Sequence, residues 1–482
     1  MKEKNPLHKR NSRLAQGVGV LGALGLIMLA MPAQAADDTA ALKQQLEALQ
    51  KKIEKLEQDQ AKQQQSQQEL QTKIEKTEAA IPANVITVGD DKNSIKLGNT
   101  SFSYGGYAKF DAVLNRNGNQ TGGSGSAGTF STVFFPTQSV PINGPTEVRG
   151  NRNQLALTAR ESRLWFHTSS PTDAGKLQTH LEFDLYGAAG TEINTNGASF
   201  RLRHAYGQLG NLLAGQFWTT FMDVPTIPET ADFGGPASQV FVRQPIVRYT
   251  LPTSYGVFQF AAESPESLVY VQAAPVGVVA TGSTAGAGAP PNTVIGQDRF
   301  PDLIGKYTYT GDWGNASAAV LFHQTRIDPI GLAAANANGS DAKEGAALHL
   351  SGVLKSFGKD NLKFSFLYGN VGRYAGLASF AEAAVSSNGS LSTLNVFGGF
   401  VAYQHWWTPT LRSTLVVSDL QAQNTVPNFA VNKEIRSAHV NLFWSPAPAV
   451  NYGIEYLYAD RELESFQRGY QNRYQLTAKY NF

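Results

Sequence analysis

Across residues 83 to 482, apolar and polar positions alternate with a period of two. In SFSYGGYAKFDAV, Phe102, Tyr104, Ala108 and Phe110 share one face, and Ser103, Tyr107, Lys109 and Asp111 share the other. In KLQTHLEFDLY, Leu177, Leu181, Phe183 and Leu185 oppose Gln178, His180, Glu182 and Asp184. LKFSFLYG, TLRSTLVVS, AHVNLFW, VNYGIEYLY and the closing YQLTAKYNF repeat the pattern. This is the period of a β-strand whose two faces meet different surroundings.

Turn spacing identifies those surroundings. Seven short connections (SSPTDAGK, LGNL, LPTSYG, TGDWGN, SFGKDN, WWTPT and SPAPAV) alternate with eight longer segments near residues 114–152, 187–199, 221–242, 263–300, 325–344, 370–394, 419–435 and 461–470. Eight long and seven short connections require sixteen strands with both ends on the short-turn side. An even strand count with loops of unequal length is the pattern of outer-membrane barrels. The expected fold is therefore all-β: a 16-stranded antiparallel transmembrane β-barrel over residues 82–482, closed so that every backbone group is satisfied in lipid. Closure pairs the last strand with the first near Phe102, and sets Tyr474, Tyr480 and Phe482 outward at an aromatic girdle.

The period changes upstream. Residues 36–81 lack Gly, Pro and aromatics, and Leu42, Leu46, Leu49, Ile53, Leu56, Leu70, Ile74 and Ile81 fall on one heptad frame with Gln60, Gln63 and Gln67 at its middle core positions. That predicts an N-terminal α-helical coiled coil, ended by Pro82, and so polar a helix implies self-association. Before it, Lys2, Lys4, Lys9, Arg10 and Arg13 precede the apolar VGVLGALGLIMLAM and the small residues Ala33 and Ala35. Residues 1–35 read as a cleaved secretory signal. No other segment has the ~20 continuous apolar residues of a membrane helix.

Composition then narrows the function. The chain of 482 residues carries 40 Lys and Arg, 38 Asp and Glu, and no cysteine. Removing the signal leaves two more acids than bases, which argues against nucleic acid as a partner. Without cysteine there is no disulfide framework, thiolate zinc site or thiol nucleophile. The eight histidines are scattered singly without metal-ligand spacing, and no hydrolase, phosphate-loop or dinucleotide motif occurs. No catalytic residue, metal or cofactor is expected, and the chain does not read as an enzyme.

Sixteen strands enclose a water-filled channel, so the chemistry lies in what narrows it. The third long segment, FMDVPTIPETADFGGPASQV, carries Pro225, Pro228, Pro236, Gly234 and Gly235 with the carboxylates Asp223, Glu229 and Asp232. It resembles the third loop of general diffusion porins, which folds inward to form the constriction. Six arginines flank it: Arg160 and Arg163 in TARESRLWF, Arg201 and Arg203 in FRLRHAYG, and Arg243 and Arg248 in VFVRQPIVRYT. Alternation turns Arg163 and Arg248 inward; Arg160 is ambiguous. Arg201, Arg203 and Arg243 have outward parity near strand ends, where bulges can turn them in. Opposed to the loop carboxylates, such a group would select anions. Lys109, Lys306, Lys363 and Arg412 also point inward and read as setting the general potential.

The leader, ARESRLWFHTSS, RLRHAYGQLGNLLAGQFWTTFMD and the final YNF together resemble the DcaP-type porins of Gram-negative outer membranes, from about residue 37 to the end. The resemblance implies a homotrimer in the outer membrane with a periplasmic coiled coil, uptake of dicarboxylates, and an anion path lined by Arg163, Arg203, Arg243 and Arg248. It also implies recognition of Phe482 by the outer-membrane assembly machinery. The expected partners are thus small organic anions, the outer-membrane bilayer, two further copies of the chain and that machinery. Two alternatives remain open from sequence: an envelope-spanning anchor that uses the coiled coil as a tether, and a channel for phosphate-type anions.

Overall fold

The computed structural model describes residues 36–80, 86–88, 93–116, 140, 142, 154–187, 195, 197–271, 293–296, 298–327, 341–386, 390–425 and 431–482. The signal expected at residues 1–35 and the helix stop expected at Pro82 lie outside them. The chain divides after Ala83 into two compact units. The first holds one helix, α1 (Ala36–Ala80), 45 residues without a helix breaker. Along it Ile53, Leu56 and Leu70 of the heptad frame are at least half exposed among the described residues.

The second unit is a barrel. Its strands begin with β1 (Ile86–Val88), β2 (Ser94–Leu97), β3 (Thr100–Arg116), β4 (Gln154–Thr158), β5 (Arg163–Thr172), β6 (Gly175–Asp184), β7 (Arg201–Leu209) and β8 (Leu212–Trp218). They continue with β9 (Arg243–Thr253), β10 (Gly256–Glu263), β11 (Leu268–Val271), β12 (Thr293–Ile295), β13 (Asp302–Gly311), β14 (Gly314–Ile327), β15 (Asp341–Lys355) and β16 (Asn361–Gly369). The remainder are β17 (Ala383–Val385), β18 (Leu391–Thr393), β19 (Asn395–Trp406), β20 (Leu411–Gln423), β21 (Asn432–Ala447), β22 (Val450–Leu463) and β23 (Arg468–Asn481).

β4 and β5 are two halves of one strand, both paired with β3, and are separated by Ala159, Arg160, Glu161 and Ser162. Counted so, sixteen antiparallel strands close the barrel, with β23 against β3. Closure ends at Gly106 rather than Phe102: the Phe482 N–H donates to Gly106 O and the Gly106 N–H donates to Phe482 O, at 3.1 and 3.2 Å. A Cβ on Gly106 would stand 2.2 Å from Arg163 O, so only glycine lets the first strand pack this closely. β2 and β1 continue the sheet beside β3 beyond Phe482.

The alternation is laid out as its period requires. On β15 and β16, Leu350 pairs with Phe366 on the outer face, while His349, Ser351 and Ser365 are buried on the inner one. The belt of exposed Tyr, Phe and Leu on the outer face has no cover among the described residues, and a monomer in water rarely exposes so much apolar surface. The last two long loops are shorter than expected, because β20 to β23 run on through Asp419, Arg436 and Asp460, which pair across neighbouring strands.

Two long connections fold back inside. Phe221, Met222, Ala237 and Val240 of the 219–242 loop and Val371, Tyr374, Ala375 and Phe380 of the 370–382 segment pack with inward Ile304, Leu321, Leu367, Val396, Leu420 and Ile435. A continuous apolar core therefore occupies part of the barrel interior and reaches Trp218 and Phe217 of β8. Above it, β11, β12, β17 and β18 form a small four-stranded sheet from two of the long loops.

Candidate functional site

The third long loop crosses the barrel and is pinned to its far wall. Lys306 Nζ lies 2.9 Å from Asp223 Oδ1, and the Ser351 hydroxyl donates to Asp223 Oδ2 at 3.0 Å. Arg412 holds Glu229 through two guanidinium nitrogens, Nη2 and Nε, the latter at 2.6 Å from Oε2. Arg473 Nη1 reaches Asp232 Oδ1 at 2.7 Å. Backbone groups are held as well: Lys363 Nζ donates to Ile227 O at 2.7 Å, Lys109 Nζ to Ala231 O at 3.0 Å, and Glu455 accepts the N–H groups of Ala231 and Asp232 at 2.8 and 3.2 Å.

Two expectations change here. Lys109, Lys306, Lys363 and Arg412, read from sequence as general potential, are loop anchors. The carboxylates Asp223, Glu229 and Asp232, expected to face the six arginines, are matched instead by Lys306, Arg412 and Arg473. Charged groups buried this deeply need partners of opposite sign, and residues far apart in sequence supply them. Arg473 and Glu455 were missed altogether: each sits on an ordinary alternating strand, with no local signal that a loop more than 200 residues away would reach it.

The six arginines gather on the near wall, β4 to β9. A bulge brings in Arg201 and Arg203: the β6–β7 register shifts between Glu182 and Phe183, so that Arg203 and His204 both point inward, Leu202 stays exposed outside and Arg201 meets the buried Asp184. Their counter-charges come from the same wall. Asp184 accepts two bonds from Arg201, at 2.9 and 2.6 Å, and one from Arg203 at 3.1 Å. Glu182 accepts from Arg203 Nε at 2.6 Å and lies 3.5 Å from Arg163 Nη1. Arg160 is buried in the break between β4 and β5, its N–H donating to Thr158 Oγ1 and its carbonyl accepting from Leu185.

Arg243 and Arg248 differ. Neither has a carboxylate within ion-pair distance among the described residues; each lies over an aromatic ring, Arg243 over Trp218 at 4.8 Å and Arg248 over Phe217 at 5.1 Å. Arg243 Nη1 and Arg248 Nε are buried with no hydrogen-bond acceptor among the described residues. An aromatic face attracts a cation without neutralising it.

Between these arginines lie three of the histidines that look isolated in sequence. His167, His180 and His204 sit on β5, β6 and β7 with successive ring centroids 6.0 and 6.3 Å apart, and His180 Nε2 is 3.6 Å from Glu182. Their spacing along the chain conceals this, because cross-strand neighbours are set by register. No group of three or more His, Cys, Asp or Glu able to hold a metal occurs among the described residues.

A family model described as DcaP outer membrane protein matches residues 26–254 and 281–482. Among solved structures, the outer membrane channel DcaP of Acinetobacter baumannii aligns at TM-score 0.61 and 20% identity, covering 82% of this chain and 100% of that one. An anion-selective porin from Comamonas acidovorans aligns at TM-score 0.49 and 11% identity, over 80% of this chain and 100% of its own. At 20% identity the likeness to the Acinetobacter channel is one of fold. No curated protein matches the sequence.

Proposed function

The chain belongs to the DcaP outer membrane protein family, and from that premise we propose that it is an outer-membrane porin through which small organic anions, dicarboxylates among them, diffuse passively past an arginine-lined constriction. The third loop and the apolar core narrow the barrel interior, and the path runs along the arginine wall. Along that wall Arg163, Arg201 and Arg203 are held by Glu182 and Asp184, and Arg160 is buried beside them; Arg243 and Arg248 receive the solute. The carrying observation is that these two half-buried guanidiniums have aromatic neighbours and, among the described residues, no carboxylate within ion-pair distance. A guanidinium presents paired donors to a carboxylate, and rings of such groups select anions. Asp223, Glu229 and Asp232 keep the constriction loop in place.

The exposed heptad residues on α1 support self-association into a homotrimer through a coiled coil on the periplasmic side, with the outward aromatic belt in the lipid and Phe482 available to the assembly machinery. Reconstitution in a planar bilayer tests the function. A reversal potential of anionic sign in a salt gradient, with current interruptions on adding succinate, is the expected result; cation preference would overturn the assignment of Arg243 and Arg248.

A further inference from the structure

The 370–382 segment contains the most strained backbone among the described residues. Gly376, Leu377 and Ala378 follow one another at φ 58°, 56° and 62°. A bulky residue in this left-handed region is uncommon, and two in succession persist only where surrounding contacts hold them. Those contacts are present. The Gly376 N–H donates to Gln239 O at 2.9 Å, the Phe241 N–H to Tyr374 O at 3.0 Å, and the Ala378 N–H to Ala375 O at 3.1 Å. A Cβ on Gly376 would stand 2.5 Å from Ala237 O. The turn is thus clamped onto the returning leg of the third loop.

What it holds is Leu377. The side chain packs, as Phe233 of the third loop and Ala156 of β4 do, against Tyr186, which follows β6 on the arginine wall. The Tyr186 and Phe233 rings are 5.1 Å apart, and the Arg201 guanidinium lies over both, at 5.2 and 5.5 Å. Leu377 therefore bridges two sides of the barrel at the long-loop end of the arginine row. An apolar side chain at such a point does not hydrate a passing ion, and apolar constrictions limit conduction by excluding water.

We propose that Leu377 is the outer gate of the arginine path: a strained turn holds an apolar side chain against Tyr186 beside Arg201, and so limits the flow of hydrated solute to the arginines. This rests on the porin function above. Charge selection stays with Arg243 and Arg248, so the gate sets how much passes rather than which sign.

Leu377→Asn tests it, because Asn tolerates the left-handed turn while replacing the apolar contact with a polar one. The expected result in single-channel recording is a larger conductance with an unchanged reversal potential. The absence of cysteine from the chain supplies a second test that acts after folding. In Leu377→Cys, a bulky methanethiosulfonate reagent should cause loss of current. Wild-type conductance in Leu377→Asn, together with unchanged current in Leu377→Cys shown by mass to be modified, would overturn the gate while leaving the porin standing. No conductance in wild type or variants would overturn both.

Discussion

Arg243 lies over the ring of Trp218, which also receives Arg203 from the neighbouring strand, at 4.8 and 5.7 Å. One indole thus carries two guanidiniums of unequal standing: Arg203 is tied to Glu182 and Asp184, and Arg243 has no carboxylate within ion-pair distance among the described residues. Replacing Arg243 and Arg248 together by Ala should shift the reversal potential toward zero, whereas Arg203→Ala removes one charge and leaves Glu182 and Asp184 with Arg163 and Arg201 as counter-charges, and should shift it less. Equal shifts in a salt-gradient measurement would show that pairing does not determine which arginines select.

Glu182 gives the reverse case. Its carboxylate meets Arg163, Arg203, His180 and, at 3.9 Å, His204. Glu182→Gln keeps the shape and an acceptor while removing a negative charge from the wall, so anion preference should rise. The same bilayer measurement checks it, and an unchanged or reduced preference would place Glu182 outside the solute's field.

The anchors of the third loop act through position. Arg412 to Glu229 is a bidentate pair with Arg412 buried and Glu229 partly exposed. Breaking a fully buried pair costs ~3–5 kcal/mol, and the exposure of Glu229 lowers that figure here. Arg412→Ala should leave the barrel folded but speed amide exchange at Ala231 and Asp232, whose N–H groups donate to Glu455. Exchange at wild-type rate would show that the remaining anchors suffice.

Glu382 predicts a pH dependence outside the barrel wall. It is fully buried beneath the small four-stranded sheet, and burial pushes its carboxyl up to about 8, against the opposing pull of Arg373. It accepts the Leu268 N–H at 2.7 Å and the Arg373 N–H. The folded state holds a proton that the unfolded state releases near the ordinary carboxyl value, so this stability is fully present at acidic pH and is lost as pH rises toward 8. Amide exchange at Leu268, corrected for intrinsic rates, should report looser packing from pH 6 to pH 9, and Glu382→Gln should flatten the profile.

The sequence by itself determined the class of fold, because the signals were periodic: a period of two for strands, a heptad frame for the helix, and loop lengths that alternate long and short. Such signals survive without tertiary knowledge because each is set by the geometry of one strand, one helix or one turn. Sixteen strands, closure of the last on the first and an uninterrupted helix over 36–80 follow from them. The gathering of arginines near the third loop was legible too, since loop and arginines adjoin in sequence.

Only the tertiary structure decided who pairs with whom. Asp232 meets Arg473, Glu229 meets Arg412 and Asp223 meets Lys306 because the third loop crosses a closed barrel, and the partner of an inward side chain is fixed by where the opposite wall stands. The bulge that turns Arg203 and His204 in together, the meeting of three histidines and the reach of Leu377 to Tyr186 have the same origin. Register and closure are long-range constraints, and a single strand's alternation carries no record of the strand across the lumen.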